Sequence, residues 1–189
     1  MIRIAVVGDI CSGKSYIANL FGYPVFNADL EVAEIYKTNK NCFKKLKKNL
    51  PKYFSVFPAN KMQIINAIEN SEKNLKKITK IIHPEVRKKL SIFLEKNKKR
   101  KAIILDIPLL LENKLNQKND VIVFVQSKKS EIVKRLKKRD NFNLNLYNQF
   151  KKMQLPLSYK KKKSNHIIKN NFTNKLVKIS VKKILKKIL

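Results

Sequence analysis

Apolar residues along this chain follow two different periods. Ile2 to Val7 is nearly all apolar and β-branched, the pattern of a strand buried on both faces in a parallel sheet covered by helices. Ala102 to Asp106 and Val121 to Val125 have the same character, Val25 to Asn27 is a short strand behind Pro24, and His166 to Ile168 is a candidate fifth. Elsewhere the spacing is helical. Lys14 to Phe21 reads as a helix, and from Leu30 to about Lys101 the texture is helical with no convincing strand. Within that stretch Val86, Leu90, Phe93 and Leu94 recur at i, i+4, i+7 and i+8, one apolar stripe. Ser127 or Ser130 is placed to cap a helix running to about Arg139, and Asn141 to Lys163 is polar, Lys-rich and partly helical. The last helix carries Val177, Val181, Ile184, Leu185 and Ile188 on one stripe.

Strands alternating with helices predict an α/β domain with a parallel sheet. One domain over residues 1–189 is expected, with its core in about 1–29 and 102–189. The helical insertion at about 30–101 is the natural place for a substrate-binding lobe. At 43% hydrophobic residues the chain has enough apolar material for a core, which argues against disorder. Cys11 and Cys42 make no disulfide framework, and no His cluster joins them in a zinc site. No apolar run reaches the length of a membrane span, and Ile4 to Val7 is too short for a signal-peptide core. A reduced, cytoplasmic protein is the expectation.

The formal net charge of +31 raises the electrostatic case for a polyanion partner. Of the 44 basic residues, however, only five are arginine, and the lysines are spread through every segment beside abundant Asn and Ile. Nucleic-acid readers favour arginine for bidentate contacts and aromatics for stacking. The pattern fits a general compositional bias, so no specific nucleic-acid partner is expected from charge alone. Such a surface suits phosphorylated ligands.

The chemistry concentrates first at Gly8-Asp9-Ile10-Cys11-Ser12-Gly13-Lys14-Ser15, followed by Tyr16. This fits G-x-x-x-x-G-K-[ST] without a mismatch, between a buried strand and a helix. Such a loop turns backbone N–H groups around a phosphate, with glycine where the backbone must approach closely or take positive φ. Lys14 then reaches the β and γ phosphates, the Ser15 hydroxyl serves Mg²⁺, and the helix dipole adds to the attraction. Two of the three glycines in the chain occupy the two positions the loop demands. A nucleoside triphosphate is therefore the expected ligand, and small-molecule kinases, GTPases and motor or helicase ATPases are the classes to separate.

The later segments separate them. Asn27-Ala28-Asp29 closes the second strand, and His83-Pro84 ends one helix and opens another. Asp106-Ile107-Pro108-Leu109-Leu110-Leu111-Glu112 follows the third strand directly. Arg135 and Arg139 stand at i, i+4, and Gln154 and Lys160 precede Ile167-Ile168-Lys169-Asn170. From Ile2 to about Asn170 the chain resembles the dephospho-CoA kinases, and the Asp-Ile-Pro-Leu-Leu-Leu-Glu stretch is the most specific part. It departs from the family pattern in four places. Asn27 stands for the first Asp of an Asp-Ala-Asp box, Cys11 for a loop glycine, Tyr16 for a frequent Thr, and Ser164-Asn165 for Ala-Asp.

The resemblance implies a three-layer P-loop fold with a five-stranded parallel sheet, a helical acceptor-binding insertion and a lid at about 139–163. It implies transfer of phosphoryl from ATP to the ribose 3′-hydroxyl of 3′-dephospho-CoA, with Mg²⁺, in a monomer, an oligomer being left open. By the same resemblance Asp29, Lys14 and Arg139 are catalytic. ATP is held by residues 8–16 with Arg135, Arg139 and Asn170. The acceptor is held by Asp29, His83, Asp106, Pro108 and Leu109, and the metal by Ser15 and Asp106. Each residue also has a plainer reading. Asp29 suits a helix N-cap, Asp106 a strand-end turn, Pro108 and Leu109 a core, His83 a structural histidine, and the arginines a solvated surface. A nucleoside or nucleoside-monophosphate kinase is the enzymatic alternative. A basic nucleic-acid-binding ATPase is the alternative from another class.

Overall fold

The computed structural model of the chain describes residues 1–69, 71–138 and 143–189. In chain order the first elements are β1 (Ile2–Gly8), α1 (Lys14–Leu20), β2 (Val25–Asn27), α2 (Ala28–Thr38), α3 (Lys40–Asn49), α4 (Lys61–Glu69) and α5 (Glu72–Lys96). There follow β3 (Ala102–Asp106), β4 (Val121–Gln126), α6 (Lys129–Lys137), α7 (Leu144–Lys152), α8 (Leu157–Lys162), β5 (His166–Lys169) and α9 (Asn174–Ile188). These elements fall into two compact units. One holds Met1–Asn27, Asn97–Phe142 and Phe150–Leu189; the other holds Ala28–Lys96 and Asn143–Gln149.

The first unit is built on one sheet in the order β2-β3-β1-β4-β5, with every pair parallel. Parallel neighbours need crossover connections, and the chain supplies helices for them. Ile4, Val6, Ile104, Val123, Val125 and Ile168 pack against Ile17, Ala18 and Phe21 on one side of the chain's course and Val177, Val181 and Ile184 of α9 further on. The alternate residues Ala5, Ile103 and Leu105 are equally buried. Both sheet faces are therefore covered, which is why these strands are unbroken apolar runs rather than alternating ones. Arg3 fastens the start of β1. Its Nε lies 2.9 Å from Asp120 Oδ1 and its Nη2 donates to Asp120 Oδ2 at 3.1 Å, both side chains being buried.

The second unit is helical, with Ile35, Cys42, Phe43, Leu46, Ile68, Leu75, Ile78, Ile82 and Leu90 buried. Its helix starts are chemically marked. Asn39 accepts the Cys42 N–H at 2.8 Å ahead of α3. Asn60 and Gln63 exchange side-chain-to-backbone bonds of 2.9 and 3.0 Å at the start of α4, a reciprocal capping box.

Two local expectations change. His83-Pro84 does not divide two helices, because α5 runs through Pro84 from Glu72 to Lys96. Proline removes one helical donor and disfavours helix in the residue before it. Here the buried stripe Leu75, Ile78, Ile82 and Leu90 spans the position and outweighs that local preference. Neither Ser127 nor Ser130 caps α6. Lys128 holds the cap position, Ser130 is inside the helix, and the helix ends at Lys137 rather than near Arg139. Of the segment expected as a lid, 139–163, residues 139–142 lie outside the described residues, Asn143–Gln149 belong to the second unit and residues 150–163 to the first.

Candidate active site

The carboxyl ends of β1 and β3 carry the site, as expected in an open parallel sheet. Gly8 ends β1, and a Cβ there would stand 2.7 Å from the Val125 carbonyl oxygen of β4, so only glycine permits this strand spacing. Gly13 caps α1 at φ 90°, and a Cβ there would meet the Asn170 amide nitrogen at 2.4 Å. Between them Cys11 adopts φ 60°. The left-handed conformation costs a non-glycine residue about 1–2 kcal/mol, and the loop holds it nonetheless.

Lys14 is buried, and its Nζ donates to the Asp9 carbonyl at 2.7 Å. The loop amides are partly used within the loop itself. Ile10 N–H donates to Asp9 Oδ1 at 2.7 Å, and Ser12 N–H to the Asp9 carbonyl at 3.2 Å. Two further elements brace the loop through one carbonyl, that of Ser12. It accepts from Ser127 Oγ at 3.0 Å and from Asn170 Nδ2 at 2.8 Å. Asn170 is thus built against the loop, and its Oδ1 accepts Phe172 N–H at 2.9 Å. Tyr16 is exposed and ties α1 to α9 through a 2.8 Å bond to Asn174.

Asp106, at the end of β3, is buried and meets the loop's own serine. The Ser15 side chain hydrogen-bonds to its carboxylate, and Lys14 contributes a favourable charge. Asn27 Nδ2 donates to Asp106 Oδ2 at 2.8 Å, from the strand paired beside β3. Burial raises the Asp106 pKa above the usual carboxylate value, and the Ser15 bond and Lys14 oppose that rise. The departure at Asn27 therefore has a consequence the sequence did not reveal. It supplies a donor to Asp106 instead of a second carboxylate.

Pro108 and Leu109 lie half-buried in the turn after β3, between the buried Ile107 and Leu110. Arg135 of α6 stacks its guanidinium on the Phe172 ring, 4.1 Å from the centroid. Both line a cavity of about 460 Å³ with Glu131, Lys134, Lys137 and Lys138. Phe172 also lies next to Gly13. Neither Phe172 nor this cavity was legible in the sequence, because they come from distant segments. Arg139 lies outside the described residues.

Asp29 and His83 belong to the second unit. Asp29 does not hold the N-cap position that is its plainer reading. α2 already begins at Ala28, so Asp29 is exposed in its first turn, where a carboxylate favours the helix dipole. His83 is half-buried within α5, and burial, then the nearby Arg87 charge, lowers its pKa below 6.5.

One pairing joins two residues to which the sequence gave no role. Lys160 Nζ, 1% exposed, lies 2.7 Å from Glu112 Oε1, itself 10% exposed, and the same oxygen accepts the Leu155 N–H at 3.0 Å. This buried pair ties the turn after β3 to the segment ahead of β5. Removing one partner leaves a buried charge, so Lys160→Met should cost about 3–5 kcal/mol of stability. Urea denaturation should show it, and Lys160→Met with Glu112→Gln should recover much of the loss. A single variant as stable as the original protein would contradict that account.

A parallel sheet with a glycine-framed phosphate loop at the end of its central strand, facing a strand-end aspartate, defines a P-loop kinase. The family model for dephospho-CoA kinase matches residues 2–175. The dephospho-CoA kinase of Wolbachia pipientis wMel is 33% identical over 187 residues, covering 96% of this chain and 95% of that one. That of the Wolbachia of Brugia malayi is 30% identical at the same coverage. Among solved structures, the Campylobacter jejuni dephospho-CoA kinase has a TM-score of 0.65 at 22% identity, covering 98% of this chain and 96% of its own. A Bacteroides thetaiotaomicron shikimate kinase shares the fold at a TM-score of 0.52 and 10% identity, covering 98% and 97%. The chain belongs to the dephospho-CoA kinase family, the transferases that make coenzyme A from 3′-dephospho-CoA and ATP in the last step of its synthesis. Among the described residues, no helix is long and apolar enough to cross a membrane.

Proposed function

We propose that the loop 8–15 holds the ATP phosphates, with Lys14 on the β and γ groups. The observation that carries this reading is the meeting of Ser15, at the start of α1, with Asp106, at the end of β3, under the charge of Lys14. Lys14 would exchange its bond to the Asp9 carbonyl for phosphate oxygens, which carry more negative charge. The Arg135–Phe172 cavity beside Gly13 suits the nucleoside, offering a flat cation and a ring to an aromatic base. Asn170 keeps the loop in place from behind.

Ser15 and Asp106 would hold Mg²⁺. They are hard oxygen donors already in contact, and that is the small protein share this ion takes when phosphates and waters complete its shell. The bound ion supplies charge neutralisation to the triphosphate. Asn27 orients Asp106 for that task through the bond to Oδ2.

Asp29 is the base or orienting group for the acceptor hydroxyl, a reading supported by its place two residues after Asn27 and by the family resemblance. Its hydroxyl partner would be the ribose 3′-hydroxyl of 3′-dephospho-CoA, with His83, Pro108 and Leu109 as acceptor contacts. Phosphoryl transfer needs positioning and charge stabilisation more than covalent chemistry from the protein.

The test is ADP release in a coupled assay with 3′-dephospho-CoA, AMP, adenosine and single-stranded DNA run in parallel. Turnover with 3′-dephospho-CoA, and little with the others, is the expected result. Preference for AMP or adenosine would overturn the assigned acceptor. DNA-stimulated hydrolysis at physiological salt would put the nucleic-acid reading ahead.

A further inference from the structure

Asp9 places an acidic side chain inside a loop built to receive a polyanion. Its surroundings answer that charge. Asp9 Oδ1 lies 2.5 Å from Lys151 Nζ and accepts the Ile10 N–H at 2.7 Å, while its carbonyl accepts Lys14 Nζ at 2.7 Å. Lys151 is the penultimate residue of α7 and, like Asp9, belongs to the first unit. The pair is partly shielded, with side-chain exposures of 14% for Asp9 and 37% for Lys151. No other acid occurs in the loop.

Left alone, the Asp9 carboxylate would repel the triphosphate that its neighbour Lys14 attracts. Paired with Lys151 and bonded to its own loop's amide, it becomes a neutral strut that holds the first turn of the loop. We infer that Lys151 is a positioning residue for ATP that acts through Asp9, so that the two behave as one unit in nucleotide binding. The inference rests on the reading of this loop as the ATP site. It assigns a task to one lysine among many, on geometry rather than on the chain's general basicity. Lys151 differs from Lys14 in that it need not touch the nucleotide.

A double-mutant cycle tests this, with ADP affinity by calorimetry and steady-state KM and kcat for ATP. Lys151→Met should weaken ADP binding and raise KM roughly tenfold, with kcat changed less than about threefold. Lys151→Arg should keep most of the affinity. In the Asp9→Asn background, where residue 9 carries no charge, Lys151→Met should change affinity by less than about threefold. Loss of the Lys151 effect in that background supports action through Asp9. A tenfold loss that persists there would overturn the inference in favour of direct phosphate contact by Lys151. Unchanged affinity in Lys151→Met, or a loss matched by a fall in urea midpoint that Lys151→Arg does not restore, would overturn it as well. Failure of the unaltered protein to bind ADP would instead mark the loop reading as wrong.

Discussion

Lys14→Ala should abolish turnover while leaving the fold in place. Lys14 supplies the only side-chain positive charge within the loop 8–15, and its ammonium is held at the loop by the Asp9 carbonyl, 2.7 Å away. Charge stabilisation of the transferring group is the main thing this protein offers the reaction, so kcat/KM should fall by roughly three orders of magnitude or more. The fold should survive with some loss of stability, because truncation takes a favourable charge from the buried Asp106 carboxylate, which keeps its bonds to Ser15 and Asn27. Steady-state kinetics and a urea curve check both halves. A folded variant that keeps more than a small fraction of its activity would sink the phosphate-loop assignment.

Asp29→Asn should lower kcat by roughly two to four orders of magnitude, with a smaller effect on ATP affinity. The substitution is nearly isosteric and removes only the charge and the basicity. Asp29 sits in the first turn of α2, so the structural cost includes the lost dipole interaction, about 0.3–1 kcal/mol. Those two magnitudes separate the roles cleanly. With Asn27 in place of a second acid, no other carboxylate stands in that box to take over. A variant with normal kcat and a slightly lower melting point would show that Asp29 serves the helix alone.

The strands of the sheet were legible because both of their faces are buried. Ile4, Ile103 and Val123 have no polar alternation to confuse the reading, and a run of such residues has few other places to go. The phosphate loop was equally clear because its motif is contiguous, although the close approaches that require Gly8 and Gly13, to Val125 and Asn170, come from the tertiary structure. His83-Pro84 shows the opposite case. There the local rule pointed to a break, and the apolar stripe on either side kept α5 whole. Ser127 has the chemistry of a cap, yet its hydroxyl is spent on the Ser12 carbonyl more than a hundred residues earlier.

By itself, then, the sequence determined the parallel sheet, the loop and its lysine, and the family, because each rests on short-range periodicity or on a contiguous motif. Only the tertiary structure decided what the separated polar residues do. Asn27 with Asp106, Lys151 with Asp9, Lys160 with Glu112 and Arg135 with Phe172 are pairs from distant segments. In a chain with 39 lysines, nothing in the order of residues distinguishes Lys151 and Lys160, which find a shielded or buried acid, from lysines that face water. Burial makes the distinction, since it raises the cost of an unpaired charge and so fixes which partner each must have.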